Sequence, residues 1–269
     1  MRTKLIADLT SNHIGNKEVI ESMIHALSEN GVEVVKTQSW QVKKLRKDIP
    51  DYEINVNYYK KHEFSDEDHH WLKDTCKKYG VEFLTTCFDL DRIEDLAAFG
   101  LKRIKIASPD ANSYKMIKRA LDKFEEIIIS TGATTDDELN KIMDICQGKN
   151  VVMLHCMTIY PCPLDQVNMD RMLYIRDKGF RFGYSDHTLG TEAGKYAICL
   201  GAEFLEKHFT LNRFLPGRDQ KMSSTIEDFV ELSKWAESVE KMKGTASRLL
   251  TDTELDFRRN YYGKWGNNT

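Results

Sequence analysis

No apolar stretch in this sequence approaches the roughly 18 residues that a membrane-spanning helix requires. The first residues, Met1-Arg-Thr-Lys-Leu-Ile-Ala-Asp, run straight into a strand-like pattern. No charged segment leads into an apolar one there, so no secretory leader is expected. No C-x-x-C spacing occurs among the six cysteines, Cys76, Cys87, Cys146, Cys156, Cys162 and Cys199, which read as free thiols placed mostly in the core. Low-complexity tracts are missing as well. Neither sign of charge dominates: 39 Lys and Arg stand against 42 Asp and Glu, for a net charge of −3. That balance leaves no footprint for a nucleic acid and no basic face for a membrane surface. Together these absences predict a cytoplasmic protein whose partners are small molecules.

The length of 269 residues is close to the roughly 250 typical of one (β/α)₈ barrel. Hydrophobic residues make up 41% of the chain, enough for a large core, and scattered charges at 30% suit many surface helices. Eight short β-branched runs are expected as strands: Lys4–Leu9, Val32–Gln38, Val81–Cys87, Arg103–Ser108, Glu126–Gly132, Val151–Cys156, Phe180–Asp186 and Phe204–Phe209. Several are nearly continuous apolar runs, as parallel strands buried on both faces require. Between them lie amphipathic segments closed by glycine, such as Lys17–Asn30 before Gly31, Lys73–Tyr79 before Gly80 and Thr191–Leu200 before Gly201. A further segment, Asp136–Gln147, follows N-cap oxygens and an acidic first turn. Eight such units favour a closed TIM barrel of one domain over an eight-stranded doubly wound sheet. The barrel is expected over residues 1–250, with a polar tail over 251–269. The long Ser39–Phe64 stretch should lie over the mouth of the site.

Polar residues collect at the predicted strand ends, where a barrel of this kind does its chemistry. Lys36 and Lys105 sit within apolar strands; if both point inward, two ammonium groups repel unless an anion neutralises them, which favours a phosphate or carboxylate ligand. Ser108, Ser130 and Ser185 add hydroxyl donors, and the Ser130-Thr-Gly-Ala turn adds backbone N–H groups. His187 and His208 end adjacent strands, so their rings can meet around a divalent metal with open positions for water and substrate oxygens. Cys156 lies near that place but reads as a small buried apolar group. His25, His62, His69 and His70 lie on helix or loop patterns and are expected at the surface.

In chain order, the blocks Ile6-Ala-Asp-Leu-Thr-Ser-Asn-His-Ile-Gly, Val35-Lys-Thr-Gln, Thr86-Cys-Phe-Asp, Lys105-Ile-Ala-Ser-Pro-Asp and Ser130-Thr-Gly are followed by Leu154-His-Cys-Met-Thr-Ile-Tyr-Pro, Gly183-Tyr-Ser-Asp-His-Thr, Glu206-Lys-His-Phe-Thr and Pro216-Gly-Arg-Asp. The sequence resembles the N-acetylneuraminate (sialic acid) synthase family, which includes legionaminate and pseudaminate synthases. The resemblance implies a (β/α)₈ barrel that condenses phosphoenolpyruvate with an N-acyl amino sugar to give a 3-deoxy-2-ulosonic acid and phosphate. It implies that His187 and His208 hold the metal, usually Mn²⁺. It also implies that Lys36, Lys105, Ser108, Ser130 and Ser185 grip phosphoenolpyruvate with Thr86 near its carboxylate, and that Gln38, Asp110, Thr158, Tyr160 and Asp219 face the sugar. Asp8 falls at the family's catalytic glutamate, so Asp8, Lys36 and Lys105 are the residues expected to carry catalysis.

This sequence departs from the family pattern in five places. Asp8 replaces Glu, Thr10 replaces Gly and Thr158 replaces Asn. In the Ser39–Phe64 stretch, Asn55 and Asn57 both compete for the place of the family's substrate asparagine. The expected antifreeze-like C-terminal domain, which in the family lends an arginine to a partner's site, is not seen. Either the aldose lacks the acyl group that arginine contacts, being non-acylated or phosphorylated, or another copy of the chain supplies the contact in a homo-oligomer. A barrel that keeps the anion pocket but no longer catalyses is the alternative outside enzymes.

Overall fold

In the computed structural model, which describes residues 2–245 and 249–266, eight parallel strands pair in chain order and close into a barrel. The strands are β1 (Lys4–Asp8), β2 (Val34–Ser39), β3 (Glu82–Cys87), β4 (Arg103–Ile106), β5 (Glu126–Ser130), β6 (Val151–Cys156), β7 (Arg181–Asp186) and β8 (Phe204–His208). No bound differs by more than two residues from its sequence expectation. The doubly wound alternative is thereby excluded, because β1 pairs with both β2 and β8.

The connecting helices are α1 (Lys17–Ser28), α2 (Tyr52–Lys60), α3 (Asp66–Lys78), α4 (Arg92–Ala98), α5 (Tyr114–Lys123), α6 (Asp136–Cys146), α7 (Asp170–Asp177), α8 (Glu192–Cys199) and α9 (Ile226–Lys243). Capping boxes start α3 at Ser65 with Asp68 and α6 at Thr135 with Glu138. Gly31 follows α1 at φ +77°, a left-handed stop that favours glycine. The segment after residue 250, read as a polar tail, contains a further helix, α10 (Asp252–Tyr261), capped by Thr251 with Glu254. Its aromatic side chains Phe257 and Tyr261 are exposed, so no buried stripe marked it in the sequence.

Alternation along the strands fills the barrel in layers. At the floor, Arg103 pairs with Glu82 and Glu126, and Arg181 pairs with Glu126 and Glu203. Above it lies an apolar layer of Ile6, Val34, Leu84, Ile128, Val152, Leu154 and Phe204. Gly183 gives that layer room: a Cβ there would stand 2.3 Å from the Phe204 carbonyl oxygen. One step further along each strand, the inward positions become polar. The layering makes the apolar plug a rigid base and the polar ring above it the floor of a cleft. Five cysteines are buried and Cys199 is exposed, all as free thiols.

Candidate active site

Register brings the polar ring together. Asp8, the last residue of β1, lies opposite Lys36 on β2 and His208 on β8, while Ser185 on β7 lies opposite Glu206 on β8. The Lys36 ammonium donates to Asp8 Oδ2 at 2.6 Å and to Thr86 Oγ1 at 3.0 Å, and stands 3.6 Å from Glu206 Oε1. Lys105 donates to Ser130 Oγ at 2.6 Å and to Glu206 Oε1 at 3.3 Å. Ser185 donates to the same Glu206 oxygen at 3.2 Å. Gln38 donates to Asp8 Oδ2 at 3.0 Å, and the Thr10 N–H to Asp8 Oδ1 at 2.9 Å. Thr10 makes that bond from φ +44°, a left-handed conformation strained for a β-branched residue.

The electrostatics follow from burial and pairing. Burial alone would push the Asp8 carboxyl upward, but the Lys36 ammonium outweighs it and holds Asp8 well below the usual carboxylate range. Burial likewise works against the Lys36 ammonium, and Asp8 with Glu206 reverses that, so Lys36 is raised. Lys105 is lowered by burial, which its pairing with Glu206 only partly offsets. The sequence-based argument that two inward lysines demand an external anion therefore needs correction: Glu206 reaches both ammonium groups, and two carboxylates balance two cations. The second oxygen of Glu206 remains buried without a hydrogen-bond partner.

His187 and His208 do meet, with ring centroids 5.2 Å apart, and the Tyr160 ring covers His187 at 4.1 Å. His208 is lowered to about 4 by burial, so its imidazole is neutral near pH 7 and keeps a lone pair. The His187 Nδ1–H donates to the Met157 carbonyl at 2.7 Å, leaving Nε2 as the atom that can bind a cation. Burial would lower His187; the Cys156 sulfur, 3.7 Å from Nδ1, offsets it and the net push is upward. Asp8 Oδ2 lies 4.0 Å from His208 Nε2. Among the described residues, no three His, Cys, Asp or Glu side chains form a complete cage for a metal. Two imidazoles beside a carboxylate, with the remaining positions open, nevertheless fit a first-row divalent cation that shares its shell with substrate.

These groups floor a cavity of about 790 Å³, within the usual size for a small-molecule site. Asp8, Lys36, Gln38, Thr86, Lys105, Ser108, Asp110, Ser130, Tyr160, Ser185, His187, His208 and Asp219 all line it. Ser108 also accepts from the Gly132 N–H at 3.0 Å, which ties the β4 and β5 turns together. Thr158 is the exception: it is exposed and outside the lining, and its methyl group packs over Gly132, where a Cβ would stand 2.7 Å away. Neither Asn55 nor Asn57 lines the cavity.

Other strand-end polar groups face the helices. His155 is buried, with its Nε2 against the Val167 carbonyl at 2.7 Å, and Asp186 pairs with Lys207 at 2.6 Å. His62 and His69 are buried as well, contrary to the surface expectation, with His69 Nδ1 against the Ser65 carbonyl at 2.8 Å. Sequence reasoning missed the role of Glu206, although alternation with His208 would have turned it inward. It also missed the outer wall, where Trp40, Tyr59 and Phe88 face the cavity and Trp40 donates to the Tyr59 carbonyl at 3.2 Å. Most of this wall comes from the long stretch after β2, which does cover the mouth as expected.

A sequence profile described as the NeuB family matches residues 23–248. An N,N'-diacetyllegionaminic acid synthase from Legionella pneumophila is 30% identical over 273 residues, covering 94% of this chain and 77% of that protein. An N-acetylneuraminate-9-phosphate synthase from Drosophila melanogaster is 31% identical over 244 residues, covering 85% of this chain and 66% of that protein. The crystal structure of an N-acetylneuraminic acid synthetase from Leptospira borgpetersenii, in complex with citrate, superposes with a TM-score of 0.88 at 26% identity, covering 97% of this chain and 93% of that one.

Proposed function

This chain belongs to the NeuB family, and on that premise we propose that it condenses phosphoenolpyruvate with an N-acyl amino sugar, giving a 3-deoxy-2-ulosonic acid and phosphate. The observation that carries this reading is the cavity floor: two buried ammonium groups and three serine hydroxyls stand beside two imidazoles and the carboxylates of Asp8 and Glu206. No single ligand type needs all of these, whereas a phosphorylated enol acid next to a carbonyl substrate does.

Lys36 and Lys105, with Ser108, Ser130 and Ser185, bind the phosphate and Thr86 the carboxylate of phosphoenolpyruvate. His187 and His208 would hold a divalent cation, Mn²⁺ in this reading, which when bound would supply Lewis acidity to the aldehyde. Gln38, Asp110, Tyr160 and Asp219 orient the sugar so that its aldehyde carbon faces C3 of the enol. The enol π pair forms a carbon–carbon bond to the aldehyde carbon while the aldehyde C=O π pair moves onto its oxygen, which takes a proton to become the product hydroxyl. The positive charge left at C2 takes the oxygen of a water. Asp8 accepts that water's proton. Its carboxyl is held low only while Lys36 is its partner; phosphate oxygens compete for that ammonium, and Asp8 then becomes a better base. The tetrahedral adduct breaks its C2–O bond, leaving a ketone and inorganic phosphate. Lys36 and Lys105 stabilise the phosphate charge throughout.

Chelation is expected to stop phosphate release, and added Mn²⁺ to restore it. His187→Ala and His208→Ala should each raise the Mn²⁺ concentration giving half-maximal rate by at least about tenfold. Mn²⁺ binding followed by electron paramagnetic resonance should weaken in parallel. A rate indifferent to chelator would count against this site. A phosphorylated aldose is a second reading, favoured by Lys44 and Arg46 on the cavity wall, each now paired with Asp91 or Asp48.

A further inference from the structure

Asp219 reaches the cavity from the connection between β8 and α9, whose first part is tied back by Arg213 to the Ser223 carbonyl and Asp228 but leaves its apolar side chains in solvent. Phe214 is 95% exposed, and Leu211 and Leu215 are also exposed. Two anchors fix the end that carries Asp219. From below, Gln220 is fully buried: its amide donates to the Asn12 carbonyl at 3.1 Å, and its oxygen accepts from the Thr210 hydroxyl. From the side, Arg218 leaves the barrel wall and lies over the Tyr58 ring of α2, its guanidinium carbon 3.7 Å from the ring centroid. The same guanidinium donates to Asn55 Oδ1 at 2.9 Å. The Tyr58 hydroxyl is hydrogen-bonded to Ser11 in the β1–α1 turn, and the Ser11 hydroxyl points back to Asp219 Oδ2 at 3.5 Å. Three neighbouring loops are thus joined in a closed chain, from Arg218 through Tyr58 and Ser11 to Asp219.

We propose that Arg218 and Tyr58 are positioning residues that set Asp219, and through it the aldose, against the cavity floor; this rests on the synthase reading given above. Neither side chain lines the cavity, so neither touches substrate. A guanidinium stacked on an aromatic ring and hydrogen-bonded at its edge is oriented as well as attracted, which suits a group that has to hold a neighbour in place. The phosphoenolpyruvate residues lie on and just after β2, β3, β4, β5 and β7, and the chain of contacts reaches them only indirectly, from Ser11 through the neighbouring Thr10 N–H and Asp8 to Lys36. The device therefore acts first on the aldose.

The test is steady-state kinetics with phosphoenolpyruvate and N-acetylmannosamine or a 2,4-diacetamido hexose, whichever the wild type turns over. Arg218→Ala and Tyr58→Ala are expected to raise KM for the aldose roughly tenfold, with KM for phosphoenolpyruvate and kcat within about twofold of the wild type. The two changes together should cost little more than either alone, because each breaks the same stack. Arg218→Lys should recover part of the loss. Tyr58→Phe keeps the stack and loses only the bond to Ser11, so it reports on the hydroxyl in a protein whose fold is least disturbed. An unchanged aldose KM in Arg218→Ala, or equal increases for both substrates, overturns the positioning role while leaving the synthase reading intact. Absence of phosphate release by the wild type with every N-acyl amino sugar overturns both.

Discussion

Lys36→Met is expected to bring phosphate release below detection and to cost about 3–5 kcal/mol of stability. Lys36 is buried with hydrogen bonds to Asp8 and Thr86 and lies close to Glu206. Methionine fills a similar volume but leaves the buried Asp8 carboxylate without its cation, and Glu206 with Lys105 alone. Removing one partner of a buried ion pair is costlier than removing both, because the remaining charge is stranded. The thermal midpoint should therefore fall by roughly 10 °C for a chain of this size. Adding Asp8→Asn to Lys36→Met should recover much of that loss, since both charges are then gone, while phosphate release stays absent. Thermal unfolding of the single and double variants separates the two roles of the lysine. A Lys36→Met protein as stable as the wild type would show that the pair is not buried as described.

Asp8→Asn alone is expected to lower kcat/KM by about 10²–10⁴, the range for loss of a positioned acid–base group. An asparagine keeps the size and can still accept from the Thr10 N–H, now 2.9 Å from Asp8 Oδ1. Its NH₂ group, however, would face two donors, Lys36 and Gln38, so the amide adds a mismatch and removes the base together. Binding of phosphoenolpyruvate should persist or tighten, because Lys36 loses its internal competitor. Calorimetric titration checks that half of the expectation and a phosphate assay the other. Unchanged release would remove Asp8 from the base role. Contacts to Lys36, Gln38 and Thr10 hold the short Asp8 arm in the polar ring.

The barrel was legible because strands buried on both faces must be apolar, and the site because inward positions turn polar again above the apolar layer. Lys36, Lys105, Ser130, Ser185 and His208 could be placed from that break in pattern alone. Glu206 was misjudged because the lysines were weighed without their neighbours: charge pairing across β2, β4 and β8 depends on strand register, which the linear sequence does not state. His62 and His69 sit among charged residues on helical patterns, yet ring packing against His13 and Phe99 buries them. Thr158 was placed by its motif, but β6 ends at Cys156, and two residues later the chain has turned out of the barrel. The contact between Arg218 and Tyr58 joins loops on either side of the β1 turn, and no local pattern announces it.

The most direct measurement is phosphate release together with product mass, using phosphoenolpyruvate, Mn²⁺ and a set of N-acyl amino sugars. The expected result is release that requires a sugar, with one phosphate formed per product molecule and a product heavier than that sugar by the elements of pyruvate. Release from phosphoenolpyruvate at the same rate without any sugar, or none with every sugar, would contradict a condensing site at the mouth of this barrel.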